Sequence, residues 1–284
     1  MNLKLTIAKC LGFIPDSLYS KTKFAIYHKK LPRKVASNFS EKLLQKKCGR
    51  MPESERVLRE LVSDRWEVRQ YIESKNSNVT LIPSLWHGEL LTQDVWDSLP
   101  VRFVIKARHG SQMVLIVDKK KHSYDEVFSL TEEWKRQNYY LLGREWVYKN
   151  TPRHLVVEQF ITFNSEVPPD YKFFCFNGRV ELVQVDLDRF NGHSRNMYDP
   201  FFNKLPIKLQ YPIGNDISKP KLFEKAVEIA QDLSKDFDFI RVDLYLLDDV
   251  IYFGELTNFP GNGLETFTPH SYDSELGSKF TISG

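Results

Sequence analysis

FIRVDLYLLDDVIYFGELTNFPGNG, residues Phe239 to Gly263, reads as two apolar strands joined by a tight acidic turn and closed by a Pro-Gly break. Each strand carries one carboxylate, Asp243 and Glu255, and Arg241 stands two residues before the first. Burying an unpaired charge costs several kcal/mol, so a carboxylate in mid-strand calls for a partner. Side chains alternate faces along a strand. Arg241, Asp243 and Tyr245 therefore share one face, and Ile251, Phe253 and Glu255 share one on the return strand. A loop of odd length, such as Leu247 to Ile251, sets Asp243 opposite Glu255. A two-residue Asp248-Asp249 turn sets the carboxylates on opposite faces. Converging, they offer hard oxygen ligands suited to Mg2+, which takes one or two carboxylates and fills its other positions with water and phosphate oxygens. A half-exposed hairpin with an Arg–Asp–Glu surface network is the plainer alternative.

Outward from this hairpin the chain has the composition of a globular protein. Its 284 residues, 42% hydrophobic, suffice for one large domain or two lobes. A formal charge of +3 is too small to point to nucleic acid, and no nucleic-acid partner is expected. Cys10, Cys48 and Cys175 are scattered, without metal-ligand spacing, which fits free thiols in a reducing cytoplasm. No apolar run is long enough to span a bilayer, and the first residues lack the small-residue cleavage site of a secretory signal. Residues 1 to about 60 form a helical, Lys- and Arg-rich extension, expected to pack on the main domain. Docking on an anionic membrane surface or an assembly complex is the other role open to it.

The remaining segments mix helices with hairpins. Apolar residues recur at helical spacing from Ser54 to Ile72, and helices are expected from about Tyr124 to Gln137 and from about Pro220 to Asp236. Residues 102–118 read as strand, Gly-containing loop, strand; residues 155–161 read as a strand. Asn177-Gly178 marks a type I′ hairpin turn. This order implies an α+β fold, not a doubly wound parallel sheet.

Several polar residues interrupt these apolar elements. Lys106 ends a strand just before His109-Gly110-Ser111, a pairing of point charge and loop amides that suits phosphate. Glu158, Gln159, Phe160 and Ile161 leave a hydrophobic strand and can present backbone groups to a purine edge. Lys172, near Asp170, is either a second phosphate contact or a cross-strand salt bridge. Arg189, His193 and Arg195 form a cationic cluster for an anionic substrate, or else a solvated loop.

The motifs DRWEVRQYI (64–72), FVIKARHGS (103–111), YYLLGREWVYKN (139–150), VVEQF (156–160), PDYKFFCFNG (169–178), QVDLDRF (184–190) and IRVDLY…FGELTNFPGNG (240–263) resemble, in this order, the TupA-like group of the ATP-grasp superfamily. That group occurs with surface-polysaccharide gene products. The resemblance implies a domain over 61–284 in which two α+β lobes with largely antiparallel sheets, about 101–158 and about 159–270, clasp ATP. Arg65, Lys106, His109, Gly110, Ser111 and Lys172 would contact ATP phosphates, and Glu158 to Ile161 would form the adenine hinge. Asp243 and Glu255 would hold Mg2+, Arg241 would steady a tetrahedral intermediate, and Gly261 and Asn262 would lie by the acceptor. The superfamily's Glu-x-Asn motif has Thr257 in its third position here, so Asn258, Thr257 or water completes the metal shell. Arg65 stands where many relatives have lysine, and Gln112-Met113 where a further glycine is common.

The implied reaction is an ATP-dependent carboxylate–amine ligation through an acylphosphate, forming an amide between an amino compound and a sugar acid, or along an amino-acid chain, in cell-surface glycan assembly. It acts on a small molecule or a glycan, with a lipid-linked acceptor left open. The implied place is the cytoplasm, with attachment at the inner face of the membrane left open. Transfer of a phosphoryl or glycosyl group to a glycan, and nucleotide binding without catalysis, are the alternatives.

Overall fold

The computed structural model describes residues 8–75, 78–162, 168–187, 192–247 and 249–282. Four helices run from Asp16 to Ser74: α1 (Asp16–His28), α2 (Phe39–Cys48), α3 (Glu53–Ser63) and α4 (Val68–Ser74). The single helical pattern of 54–72 is thus broken in two. Asp64 accepts a hydrogen bond from the Trp66 amide (2.8 Å), and this local bond competes with the helix ladder. Arg65 sits in the break.

A first lobe follows, with β2 (Ser84–Gly88), α5 (Gln93–Ser98), β3 (Arg102–Ala107), β4 (Val114–Asp118), α6 (Tyr124–Arg136), α7 (Tyr140–Gly143) and β5 (Leu155–Gln159); β1 (Thr80–Leu81) precedes it. Its sheet runs β2-β5-β3-β4, all antiparallel. Helix α6 starts at a capping box, in which Ser123 and Glu126 satisfy each other's backbone amides. It buries Val127 and Trp134 against Phe103, Ile105 and Val157.

The second lobe holds β6 (Asp170–Phe176), β7 (Arg179–Leu187), β8 (Ser194–Tyr198), β9 (Lys204–Leu205), β10 (Lys208–Leu209), α8 (Phe223–Ser234), β11 (Phe239–Leu247), β12 (Val250–Thr257), β13 (Phe267–Thr268) and α9 (Ser271–Lys279). Its main sheet runs β1-β12-β11-β6-β7-β8-β9, antiparallel except where β1 joins β12. Asn177 and Gly178 both take positive φ (48° and 77°), as a type I′ turn requires.

Strand β6 is buried along its whole length because both of its faces are covered. Phe173 and Cys175 join a core with α4 and α8, whereas Phe174 and Phe176 join another with Phe39 and Leu43 of α2, Phe267 and Phe280. Phe39 packs edge-on against Phe239 with ring centroids 4.9 Å apart. Residues 39–60, set apart in sequence as an extension, thus supply core to the second lobe. The reason is that this sheet has apolar residues on both faces and needs a helical layer on each. Among the described residues no helix is long and apolar enough to cross a membrane.

Candidate functional site

The β11–β12 hairpin decides the site. Leu247 pairs with Val250, so two residues close the turn, which on its own would put Asp243 and Glu255 on opposite faces. The register shifts between Asp243 and Leu244: Leu244 pairs with Phe253, Asp243 pairs with Glu255, and Gly254 is the extra residue of a β-bulge. A Cβ on Gly254 would lie 2.9 Å from the Asp243 carbonyl oxygen and 3.3 Å from the Tyr245 ring. The bulge also corrects the expected grouping of Ile251, Phe253 and Glu255. Ile251 and Phe253 join the apolar core, and Glu255 turns to the opposite face beside Asp243.

From there a polar band crosses the sheet. Asp243 lies opposite Lys172, Lys172 opposite Gln184, Asp170 opposite Asp186, and Asp186 opposite Arg195. Arg241 grips Asp243 through Nε to Oδ1 (2.7 Å) and Nη2 to Oδ2 (2.6 Å), and reaches Glu255 Oε1 and Thr257 Oγ1 (both 3.1 Å). Lys172 Nζ bonds Asp243 Oδ2 (3.0 Å) and Asp170, so it is a cross-strand salt bridge. Burial pushes the Asp243 carboxyl up to about 6 against the pull of Arg241 and Lys172. Burial also pushes Glu255 up, but Arg241, Lys172 and Arg65 outweigh it and hold Glu255 at about 2. Lys172 stays a cation: burial lowers its pKa, and Asp170 and Asp243 raise it further than that.

The first sheet supplies the facing wall. A cleft of about 570 Å3 lies between the sheets, lined by Lys106, Ser111, Glu158 to Ile161 and Arg65 on one side and by Lys172, Asp243 and Glu255 on the other. Ile82, Val104 and Ile116 form its apolar part. Lys106 is paired with Glu158, and Arg69 lies 3.9 Å from the same carboxylate. Arg65 donates to the Ala107 carbonyl from the break between α3 and α4. Gly110 packs so closely on Tyr139 and Met113 that a Cβ there would come within 2.5 Å of the Tyr139 ring.

Other expected site residues lie elsewhere. His109 is buried, with Nε2 2.9 Å from the Trp134 carbonyl; burial lowers its pKa, and it faces α6 instead of the cleft. Asn258 does not join the carboxylates. Its Oδ1 accepts from Arg59 (2.7 Å) and its Nδ2 donates to Ser63 (2.8 Å), because β12 ends there and α3 covers it. Arg195 is bound to Asp186 (2.6 Å) and Glu265 (3.0 Å), and His193 Nε2 is 3.2 Å from Asp186. Asn262 accepts from Lys47 (2.6 Å), and Gly261 takes a positive φ of 51° against the Glu265 side chain. Arg189 lies outside the described residues.

Two largely antiparallel sheets thus close on a cleft to which each wall brings both cations and carboxylates, and the family model for TupA-like ATP-grasp matches residues 42–281. The chain belongs to the TupA-like ATP-grasp family. No curated protein matches it in sequence. The D-alanine–D-alanine ligase of Bacillus anthracis complexed with ATP is similar in structure, at 17% identity over 70% of this chain and 54% of that one, TM-score 0.41. So are the VanG D-Ala:D-Ser ligase of Enterococcus faecalis (13%, 78% and 61%, TM-score 0.46) and the N5-carboxyaminoimidazole ribonucleotide synthetase of Thermus thermophilus (10%, 76% and 50%, TM-score 0.41). This ATP-grasp chain spans between 50% and 61% of the length of these three enzymes.

The oxygens of this ATP-grasp cleft fit Mg2+. Among the described residues no group of three acidic, His or Cys side chains forms a cage, but Mg2+ needs only one or two carboxylates beside water and phosphate. Asp243 Oδ2 accepts two hydrogen bonds and Oδ1 one, while the bonds to Glu255 fall on Oε1. A carboxylate oxygen has two lone pairs, so Asp243 Oδ1 and Glu255 Oε2 keep capacity for a metal. Thr257, not Asn258, stands beside them.

Reading by sequence passed over Asp186 and Gln184, although both repeat with period two through an apolar strand, the same signal that marked Asp243. It also missed the Arg108–Asp64 pair (2.8 and 2.7 Å), which ties the end of β3 to the α3–α4 break, and the nearness of Lys47 to Glu145 of the quoted stretch YYLLGREWVYKN. These contacts join segments far apart in the chain and leave no local pattern.

Proposed function

We propose that the chain is an ATP-dependent carboxylate–amine ligase that joins an amino compound to a sugar acid during cell-surface polysaccharide assembly. The observation that carries the ligase reading is the convergence of Arg65, Lys106, Lys172, Arg241, Asp243 and Glu255, from both lobes, around one cleft. The apolar stretch by Phe160 and Ile161 suits the adenine, and Lys106 and Arg65 suit the phosphates. Bound Mg2+, held by Asp243 and Glu255, would neutralise phosphate charge.

In this reading an oxygen of the acceptor carboxylate attacks the γ-phosphorus of ATP and ADP leaves. The amine nitrogen then attacks the acyl carbon, the C–O bond to phosphate breaks, and the amine proton goes to solvent. Lys106 balances charge on the transferring phosphoryl group. Arg241, fixed by two hydrogen bonds to Asp243, presents a preorganised cation to the oxyanion of the tetrahedral intermediate. The polysaccharide context is supported by the family's association with surface-polysaccharide gene products.

Purified protein with ATP, Mg2+, uronic acids and candidate amines tests this reading. ADP release coupled to amide product supports it. AMP release, or a phosphorylated sugar with no amide, overturns it.

A further inference from the structure

The side of the molecule that carries α1 has no role in the cleft chemistry, yet its surface is distinctive. Residues 8–35 hold seven lysines and arginines against a single acid, Asp16, in a chain whose total charge is only +3. The rest of the chain is therefore net negative, and the positive charge is concentrated here. The same segment exposes large apolar side chains. Phe13, Leu31 and Val35 are 83%, 79% and 82% exposed, and Ile26 is 67% exposed.

These groups are held in place. On its inner side α1 buries Phe24, Tyr19 and Lys23 donate to the Leu142 carbonyl (3.3 and 3.0 Å), and His28 Nε2 lies 3.1 Å from the Gly263 carbonyl. The helix therefore cannot roll to hide its outer side. That side carries Leu18, Thr22 and Ile26 at i, i+4 and i+8, one stripe of a helix, with Lys21 beside them and Lys29 and Lys30 just beyond the end. Apolar side chains flanked by lysines on a fixed helix fit the boundary between headgroups and acyl chains: the apolar groups enter it and the lysines meet anionic headgroups.

We infer that α1 and the segment to Val35 form a docking surface for an anionic phospholipid bilayer. The contact is peripheral and independent of the chemistry in the cleft. Its strength depends on both halves of the surface, since apolar burial and electrostatic attraction each give only weak adsorption alone.

Co-sedimentation of the full chain with vesicles tests it. Phosphatidylcholine vesicles containing phosphatidylglycerol should bind the protein about tenfold or more tighter than phosphatidylcholine alone, and added salt should weaken the binding. The double substitutions Leu18→Asp with Ile26→Asp, and Lys29→Glu with Lys30→Glu, alter exposed side chains and should each abolish most of the binding while leaving the melting temperature unchanged. Equal binding to both vesicle types, no binding, or binding that survives both pairs of substitutions overturns the inference. So does a wild-type dimer that the Leu18→Asp, Ile26→Asp pair dissociates in the absence of vesicle binding, because a second copy would then cover this face.

Discussion

Asp243 faces Glu255 across the β11–β12 ladder because β12 carries one residue more than its partner, Gly254. The two-residue turn and the bulge each shift the alternation by one, and together they bring both carboxylates to the cleft. The extra residue is a glycine because the backbone of Asp243 approaches it too closely for a side chain.

Gly254→Val should therefore do more than add a methyl-bearing side chain. Its Cβ meets the Asp243 carbonyl at 2.9 Å, so the bulge must shift, at a cost of about 1–3 kcal/mol. Urea unfolding should show that loss, and titration with ATP and Mg2+ should show weakened binding. Wild-type values in both would mean that the bulge does not position the carboxylates.

The two carboxylates should separate in their effects. Asp243→Ala leaves Arg241 and Lys172 buried without their shared partner, a loss of about 3–5 kcal/mol. Glu255, with 45% of its side chain exposed, can lose its charge in Glu255→Gln with little change in stability. Both substitutions should remove ADP formation. A Glu255→Gln protein with full turnover would exclude Glu255 from the reaction.

Arg108 and Asp64 tie the first lobe to the helices of the second through a bidentate pair that is almost wholly buried. Asp64→Ala should cost about 3–5 kcal/mol, and the double substitution Asp64→Ala, Arg108→Met clearly less than the sum of the two. A double-mutant cycle in urea measures the coupling; additive losses would show that the pair carries none.

Glu145 sets a pH dependence. Burial lifts its carboxyl from 4.5 to about 7, against the pull of Lys47 and Lys23. Between those values the folded chain keeps a proton that the unfolded chain has released, so the contribution is full below about pH 4.5 and is lost as pH rises to about 7. Lys47, pushed down to about 8 by burial, adds stability as pH rises from about 8 to its ordinary 10.5. The unfolding free energy measured in urea should fall between pH 5 and pH 7, with Glu145 contributing on the order of 2–3 kcal/mol and Asp243 adding to the lower part of the range, and Glu145→Gln should reduce that fall. An unchanged slope in the variant would refute the assignment.

Much of the molecule is legible from residue order because the signals are local. Alternation along a strand exposes Asp243, Lys172 and Glu158 as charges among apolar neighbours, Asn177-Gly178 prescribes its turn, and the order of motifs points to the ATP-grasp family. These depend on residues a few positions apart, whose sterics and burial the sequence states directly. The face that Glu255 takes, the turning of His109 toward Trp134 and the capture of Asn258 by Arg59 are different. Asn258 and Arg59 stand 199 positions apart, and Gly254 has no local mark that distinguishes a bulge from an ordinary strand glycine. Sequence alone determined which side chains needed partners. Tertiary structure decided which partners they took, because that choice depends on how the two sheets and the helices between them pack.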